Sequence, residues 1–196
     1  MKKICLLLFI GLFSSTYAQE DELIFFKDYN LMFSHFAMTG SSMTTQSHID
    51  NALGFELKLG IVEFKKVGLA VIYNNRKHKI NNTQMIGDFD RTRYTNFGFS
   101  FRYNHHINEK MRLKPEIAFL KVSADDIGYS KEAEYSGPGY ALGVDYVYKL
   151  TRRTGVIVGV HYQHTTFKID AASQYRKYFR NANQIQLKIG FNFGSN

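Results

Sequence analysis

Leu53-Gly54-Phe55-Glu56-Leu57-Lys58-Leu59-Gly60-Ile61 puts an apolar residue at every odd position and a small or charged one at every even position. Successive side chains of a strand point to opposite faces, so this stretch predicts a β-strand with two chemically different sides. Six later segments repeat the pattern. Their apolar faces are Leu69, Val71 and Tyr73; Phe97, Phe99, Phe101 and Tyr103; Leu113, Pro115, Ile117 and Phe119; Tyr140, Leu142, Val144, Tyr146 and Tyr148; Val156, Val158, Val160 and Tyr162; and Ile185, Leu187, Ile189, Phe191 and Phe193. An eighth, weaker segment covers Tyr29 to His35, with Tyr29, Leu31 and Phe33 on one side. Pro115 has no N–H to give to a ladder, so a local break is expected there.

The connections alternate in length. Phe64-Lys65-Lys66, His106 to Lys110, and Leu150 to Arg153 are short; about 40–50, 75–93, 123–137 and 166–182 are long. Eight strands with this alternation predict an all-β fold, an antiparallel up-and-down transmembrane β-barrel with short periplasmic turns and long outer loops.

A soluble barrel would alternate too, with its apolar face inward. Here the other face is rich in small residues, among them Gly54, Gly60, Ala70, Gly98, Ala118, Gly139, Ala141, Gly143, Gly159 and Gly190. Glycine weakens a strand and covers nothing, so it suits the narrow interior of an eight-stranded barrel better than a water-facing surface. Aromatics gather at the strand ends: Tyr29, Phe64, Tyr103, Tyr148, Phe191 and Phe193 at one, Tyr73, Phe97, Tyr140 and Tyr162 at the other. Two such belts mark the two membrane interfaces.

Upstream of the strands, Lys2 and Lys3 precede the apolar run Ile4 to Phe13 and the small-residue stretch ending Thr16-Tyr17-Ala18. That predicts a cleaved signal peptide over 1–18 and a barrel domain over 19–196. The run is half of the roughly 20 residues a membrane-spanning helix needs. Cys5, the one cysteine, falls inside the signal, so the exported domain has no disulfide. Its formal charge drops from +8 to +6 without Lys2 and Lys3. A basic chain can bind nucleic acid, but an exported one meets none, and lipopolysaccharide or solvated loop tips explain the charge better.

The residues together resemble the outer-membrane β-barrel domain family of Gram-negative bacteria, in the OmpA/OmpX-like size class. The resemblance covers residues 19–196 and includes the closing Ile189-Gly190-Phe191-Asn192-Phe193. It implies a place in the cell outer membrane, among outer-membrane lipid and lipopolysaccharide. It also implies handling by the barrel-assembly machinery, which reads a C-terminal aromatic strand. Members include adhesins, porin-like small pores and lipid-modifying enzymes, so fold does not fix function.

Strand register sends Glu56, Lys58, Arg102, Lys114, Glu116, Asp145 and Lys188 inward. Buried charges must pair, so a polar lumen filled by an ion network is expected, with a structural or surface-interaction role left to the outer loops. One alternative is a narrow gated pore for ions or small solutes, in which Glu56 or Glu116 re-pairs among Lys58, Arg102 and Lys114. Another is a lipid A-modifying enzyme, but His161-Tyr162-Gln163-His164 has Gln163 where that chemistry needs a nucleophile. The reading is therefore non-enzymatic. No cofactor is implied and no metal site, since His161 and His164 fall on opposite faces. The candidate recognition residues are Tyr175, Arg176, Lys177, Tyr178 and Arg180 of the fourth outer loop, where cations alternate with aromatics. They suit an extracellular protein or glycan. The acidic third loop, with Asp125, Asp126, Glu132 and Glu134, is expected to hold that loop in place.

Overall fold

The computed structural model describes residues 23–48, 52–83, 89–128, 132–170 and 173–194. The signal expected over 1–18 lies outside them. Eight long strands carry the chain: β1 (Asp28–Thr39), β2 (Ala52–Phe64), β3 (Val67–Lys79), β4 (Arg91–Tyr103), β5 (Met111–Ile127), β6 (Glu132–Lys149), β7 (Thr154–Thr166) and β8 (Asn181–Gly194). Each is antiparallel to the next, and β8 pairs with β1 from Asn183↔Thr39 to Gly194↔Asp28. The sheet thus closes on itself and leaves no edge for lipid to meet.

The outer wall is apolar. Leu57 and Val158, in mid-strand, are each 46% exposed. Their strand neighbours Glu56 and Lys58 are 2% and 1% exposed, which fixes the facing. The aromatic belts sit in register: Tyr73 lies opposite Phe97, and Tyr29 stacks on Phe193 at 5.0 Å.

Two local departures from ideal pairing matter. The β4–β5 ladder ends at Arg102↔Glu116 and resumes as the two-residue pair His105↔Leu113 and His106↔Arg112. The gap falls beside Pro115, where the missing N–H was expected to break it. A bulge between Gly60 and Val62 of β2 shifts the β3 register. Strict alternation would turn Glu63 outward with Ile61; the extra residue turns it in, and Glu63 is buried.

The long outer loops are shorter than the sequence led us to expect. β3 runs to Lys79, β4 starts at Arg91, and the β5–β6 hairpin is strand up to Ile127 and from Glu132. The apolar face ends earlier than the ladder does. Lys77, Lys79 and Arg91 continue the alternation with polar residues outside while His78, Thr92 and Asp126 stay buried inside. Membrane thickness limits the apolar belt, not the hydrogen bonding.

The lumen is not uniformly polar. Toward the outer end Met38, Ile72, Tyr94, Leu120, Val122 and Phe167 form one buried apolar cluster; a second, smaller one, Met32, Val147 and Ile157, lies toward the periplasmic end, where Val147 is opposite Arg112. This corrects the expectation of a wholly polar filling. On β5 both faces are apolar around Phe119-Leu120, so alternation alone does not report the inner side there.

Candidate functional site: the filled lumen and its outer cap

All seven charged residues assigned to the lumen are buried, and they divide into two clusters. In the central one the Lys58 ammonium donates to Glu116 at 2.9 and 2.8 Å and to Asp145 at 3.0 Å, with Glu56 at 3.7 Å. Lys188 donates to both oxygens of Glu56, at 2.9 and 2.7 Å. His161 joins by its Nε2, 2.7 Å from Asp145. Three carboxylates thus face two ammonium groups and the His161 imidazole.

The second cluster lies toward the periplasmic end. Arg102 and Lys114 both pair with Asp28. Asn192 donates to Asn30 at 2.6 Å and accepts from Arg112 at 2.9 Å, while Glu63 takes Lys27 and the Asn104 amide, each at 2.7 Å. In this arrangement Arg102 and Lys114 pair with Asp28 rather than with Glu56 or Glu116, the partners that re-pairing in a gate would give them.

The glycines make this possible by leaving space. A Cβ on Gly159 would come within 2.1 Å of the Asp145 carboxylate, and one on Gly143 within 2.3 Å of the His161 ring. A Cβ on Gly60 would meet Arg102 at 2.5 Å and Asp28 at 2.7 Å. Glu116, Asp145 and His161 bring ligand atoms within 4.8 Å of one another, close enough to hold a cation. The Lys58 ammonium already touches both carboxylates, so the cation there is the protein's own.

Above the ions comes an amide layer: Gln163 accepts from Asn96 at 3.1 Å and Gln186 at 2.6 Å. Next, the Arg76 guanidinium lies between the rings of Phe36 and Tyr94, 4.7 and 4.8 Å from their centroids, and donates to Asn74 at 3.0 Å. Phe167 closes the interior over Tyr94 and against Tyr135, at 4.9 Å.

The first outer loop folds over this end. Ser42 caps the short helix α1 (Met43–Ser47), its hydroxyl accepting from Thr45 N–H at 3.4 Å. His48 follows, with Nδ1 2.8 Å from the Thr44 carbonyl and Nε2 2.6 Å from the Thr92 hydroxyl. The Thr92 hydroxyl also lies 2.5 Å from an Asp126 carboxylate oxygen. Burial holds the His48 pKa down at about 4, only partly opposed by its bond to the Thr44 carbonyl.

The fourth loop carries a 3₁₀ turn (Ser173–Tyr175) and the helix α2 (Arg176–Arg180). Arg176 and Lys177 are exposed. Arg180 donates to the Ile169 carbonyl at 2.8 Å, and Tyr178 donates to Gln46 of the first loop, also at 2.8 Å. The described ties thus run from loop four to loop one, and to the third hairpin through Phe167, rather than through an acidic third loop. Asp126 is turned inward to Thr92.

Several of these residues do not stand out as lumenal in the sequence, Asp126 falling there in the acidic third loop. Asp28 stands one residue before the first apolar position, Glu63 just past a bulge, and Arg76, Thr92 and Asp126 beyond the apolar belt. Carrying the alternation one to seven residues past its apolar end finds all except Glu63.

The string His161-Tyr162-Gln163-His164 alternates across the wall as expected. His161 and Gln163 are inside; Tyr162 and His164 are outside, both bonded to Asn183, at 2.9 and 2.6 Å.

No protein-family model matches the chain, and no curated protein matches it by sequence. Solved structures do. The fold is similar to that of Neisserial surface protein A (TM-score 0.60, 12% identity, covering 88% of this chain and 99% of that one). It is also similar to the N-terminal β-barrel domain of Pseudomonas aeruginosa OprF (TM-score 0.51, 10% identity, covering 85% and 98%). Ail of Yersinia pestis aligns with a TM-score of 0.48 and 14% identity over 85% of this chain and 99% of that one. At such identities the likeness is one of fold: with its apolar outer wall, the chain has the closed eight-stranded fold of the small outer-membrane barrels.

Proposed function

We propose that the protein is a closed barrel that acts through its outer surface, presenting the first and fourth loops to extracellular partners. The observation that carries this is the series of layers that the described side chains build across the lumen, from the Asp28 cluster through Lys58 and the amides to Phe167. A filled interior is ordinary for eight strands, and it leaves the loops as the part free to recognise anything. Arg176 and Lys177, exposed on a helix braced by Tyr178 and Arg180, fit a sulfated or carboxylated glycan or an acidic protein face. Heparin is a suitable anionic probe. Proteoliposomes of the folded chain should bind immobilised heparin in a salt-sensitive way, and Arg176→Ser with Lys177→Ser should reduce binding at least several-fold. Equal binding by that variant would remove the fourth loop from the reading.

One observation favours a gated pore as the second reading. Arg102 lies directly opposite Glu116, and Lys114 opposite Asp145, yet both reach for Asp28. An alternative pairing is thus within side-chain reach of the one seen. Conductance steps altered by Asp28→Asn would support it.

A further inference from the structure

The basic balance of the chain has an address at the periplasmic end. Its three turns carry Lys65 and Lys66, Lys110, and Arg152 and Arg153, with Glu109 the one acid among them. Between the second and third turns lies an open cavity of about 420 Å³ lined by His106, Glu109, Lys110, Lys149, Leu150 and Arg152, together with Thr151. Leu150 is 58% exposed, and Ile107 on the neighbouring turn 53%. Both stand just beyond the aromatic belt formed by Tyr103 and Tyr148.

Two exposed apolar side chains among cations are out of place in water. They suit the boundary between acyl chains and headgroups, where an apolar body and a charged tip are both satisfied. We propose that this cavity seats the phosphate of an anionic phospholipid of the periplasmic leaflet, held by Lys110, Lys149 and Arg152, with Leu150 against the start of its acyl chains.

The field at this rim is positive beyond the cavity itself. His106 is held below the ordinary histidine range, first by burial and then by Arg112, Lys149 and Lys27, with Glu63 opposing. Glu20, Asp21 and Glu22 precede Leu23 and lie outside the described residues; Leu23 pairs with Phe64, beside the Lys65–Lys66 turn. The variants below therefore leave that turn untouched.

The test reconstitutes the full exported chain in vesicles of equal phosphatidylglycerol and phosphatidylcholine and counts retained lipids by native mass spectrometry. Phosphatidylglycerol should be enriched several-fold, and the enrichment should fall with added salt. Lys110→Gln with Arg152→Gln should bring it to parity, whereas Arg152→Lys, or Lys77→Gln with Arg93→Gln at the opposite end, should not. If the double variant fails to fold, the salt dependence and Arg152→Lys decide alone. Parity in the unaltered protein would overturn the proposal, as would enrichment unmoved by the Lys110 and Arg152 changes. Displacement by free glycerol phosphate, or preferred retention of a peptidoglycan fragment, would also overturn it, since the seat would then not be one for lipid.

Discussion

The two halves of the lumen are closed by different physics. Toward the periplasm and in the middle, the interior is held mainly by ions, Asp28 with Arg102 and Lys114, then Lys58 with Glu116 and Asp145, beside the small apolar cluster of Met32, Val147 and Ile157. Toward the outside it is filled with apolar and aromatic side chains, with Arg76 held between two rings and Phe167 as the stopper. A layer of ions excludes passage only while its charges are paired, and it can be rearranged by moving a proton or a side chain. An apolar layer excludes water whatever the pairing beneath it. The arrangement is two seals in series, of which the ionic one is adjustable and the apolar one is not.

The largest expected effect tests the ionic half. Lys58→Met leaves Glu116 and Asp145 without their shared cation and should cost about 4 kcal/mol in urea unfolding from vesicles. A second change to Glu116→Gln should recover part of that loss; no recovery would mean that Lys58 contributes by packing rather than by charge. Phe167→Ala probes the apolar half and should cost about 3 kcal/mol, the usual loss for a buried aromatic. Opening the stopper without disturbing the ions should leave the membrane electrically silent. A leak in that variant alone would make the apolar layer the working seal. The facing of the wall is sharpened by Leu57→Lys, which should destabilise the barrel by about 3 kcal/mol in bilayers; normal stability there would reverse the facing.

Acid provides the smallest test, read at the outer half. His48 is neutral when buried, with a pKa of about 4 against 6.5 in the unfolded loop. A depressed value contributes stability above pH 6.5 and loses it as pH falls toward 4. At pH 5 closure of the first loop should be weaker by about 2 kcal/mol. Hydrogen exchange at α1 should report this, with no matching change at β7 and β8. Exchange that ignores pH between 7 and 5 would remove His48 from the cap.

How much of this was legible follows the same division. The wall and the inward residues of the membrane belt can be read directly, because lipid and a narrow lumen enforce strict alternation on both sides. Glu56, Lys58, Glu116 and Lys188 are cases. The bulge that turns Glu63 inward leaves no mark in the residue pattern, since Ile61, Val62 and Phe64 fit either register. The outer half was less legible. There the wall faces water, Lys77 and Arg91 replace the apolar signal, and Leu120 and Val122 make the inner face look like the outer one. His48, between loop residues, reaches Thr92 only through the closure of the barrel, and local pattern cannot show a contact so far apart in sequence. The pairing inside the network was equally hidden. Register says which charges share the lumen, not that Asp28 takes both Arg102 and Lys114.

Ion conductance of the refolded chain across planar bilayers tests the closed lumen most directly, with insertion verified by exchange protection of the strands. Two seals in series predict no discrete steps in the unaltered protein, and none in Phe167→Ala. Discrete steps in the unaltered protein that change in Glu116→Gln would contradict closure and make the ion clusters a working gate.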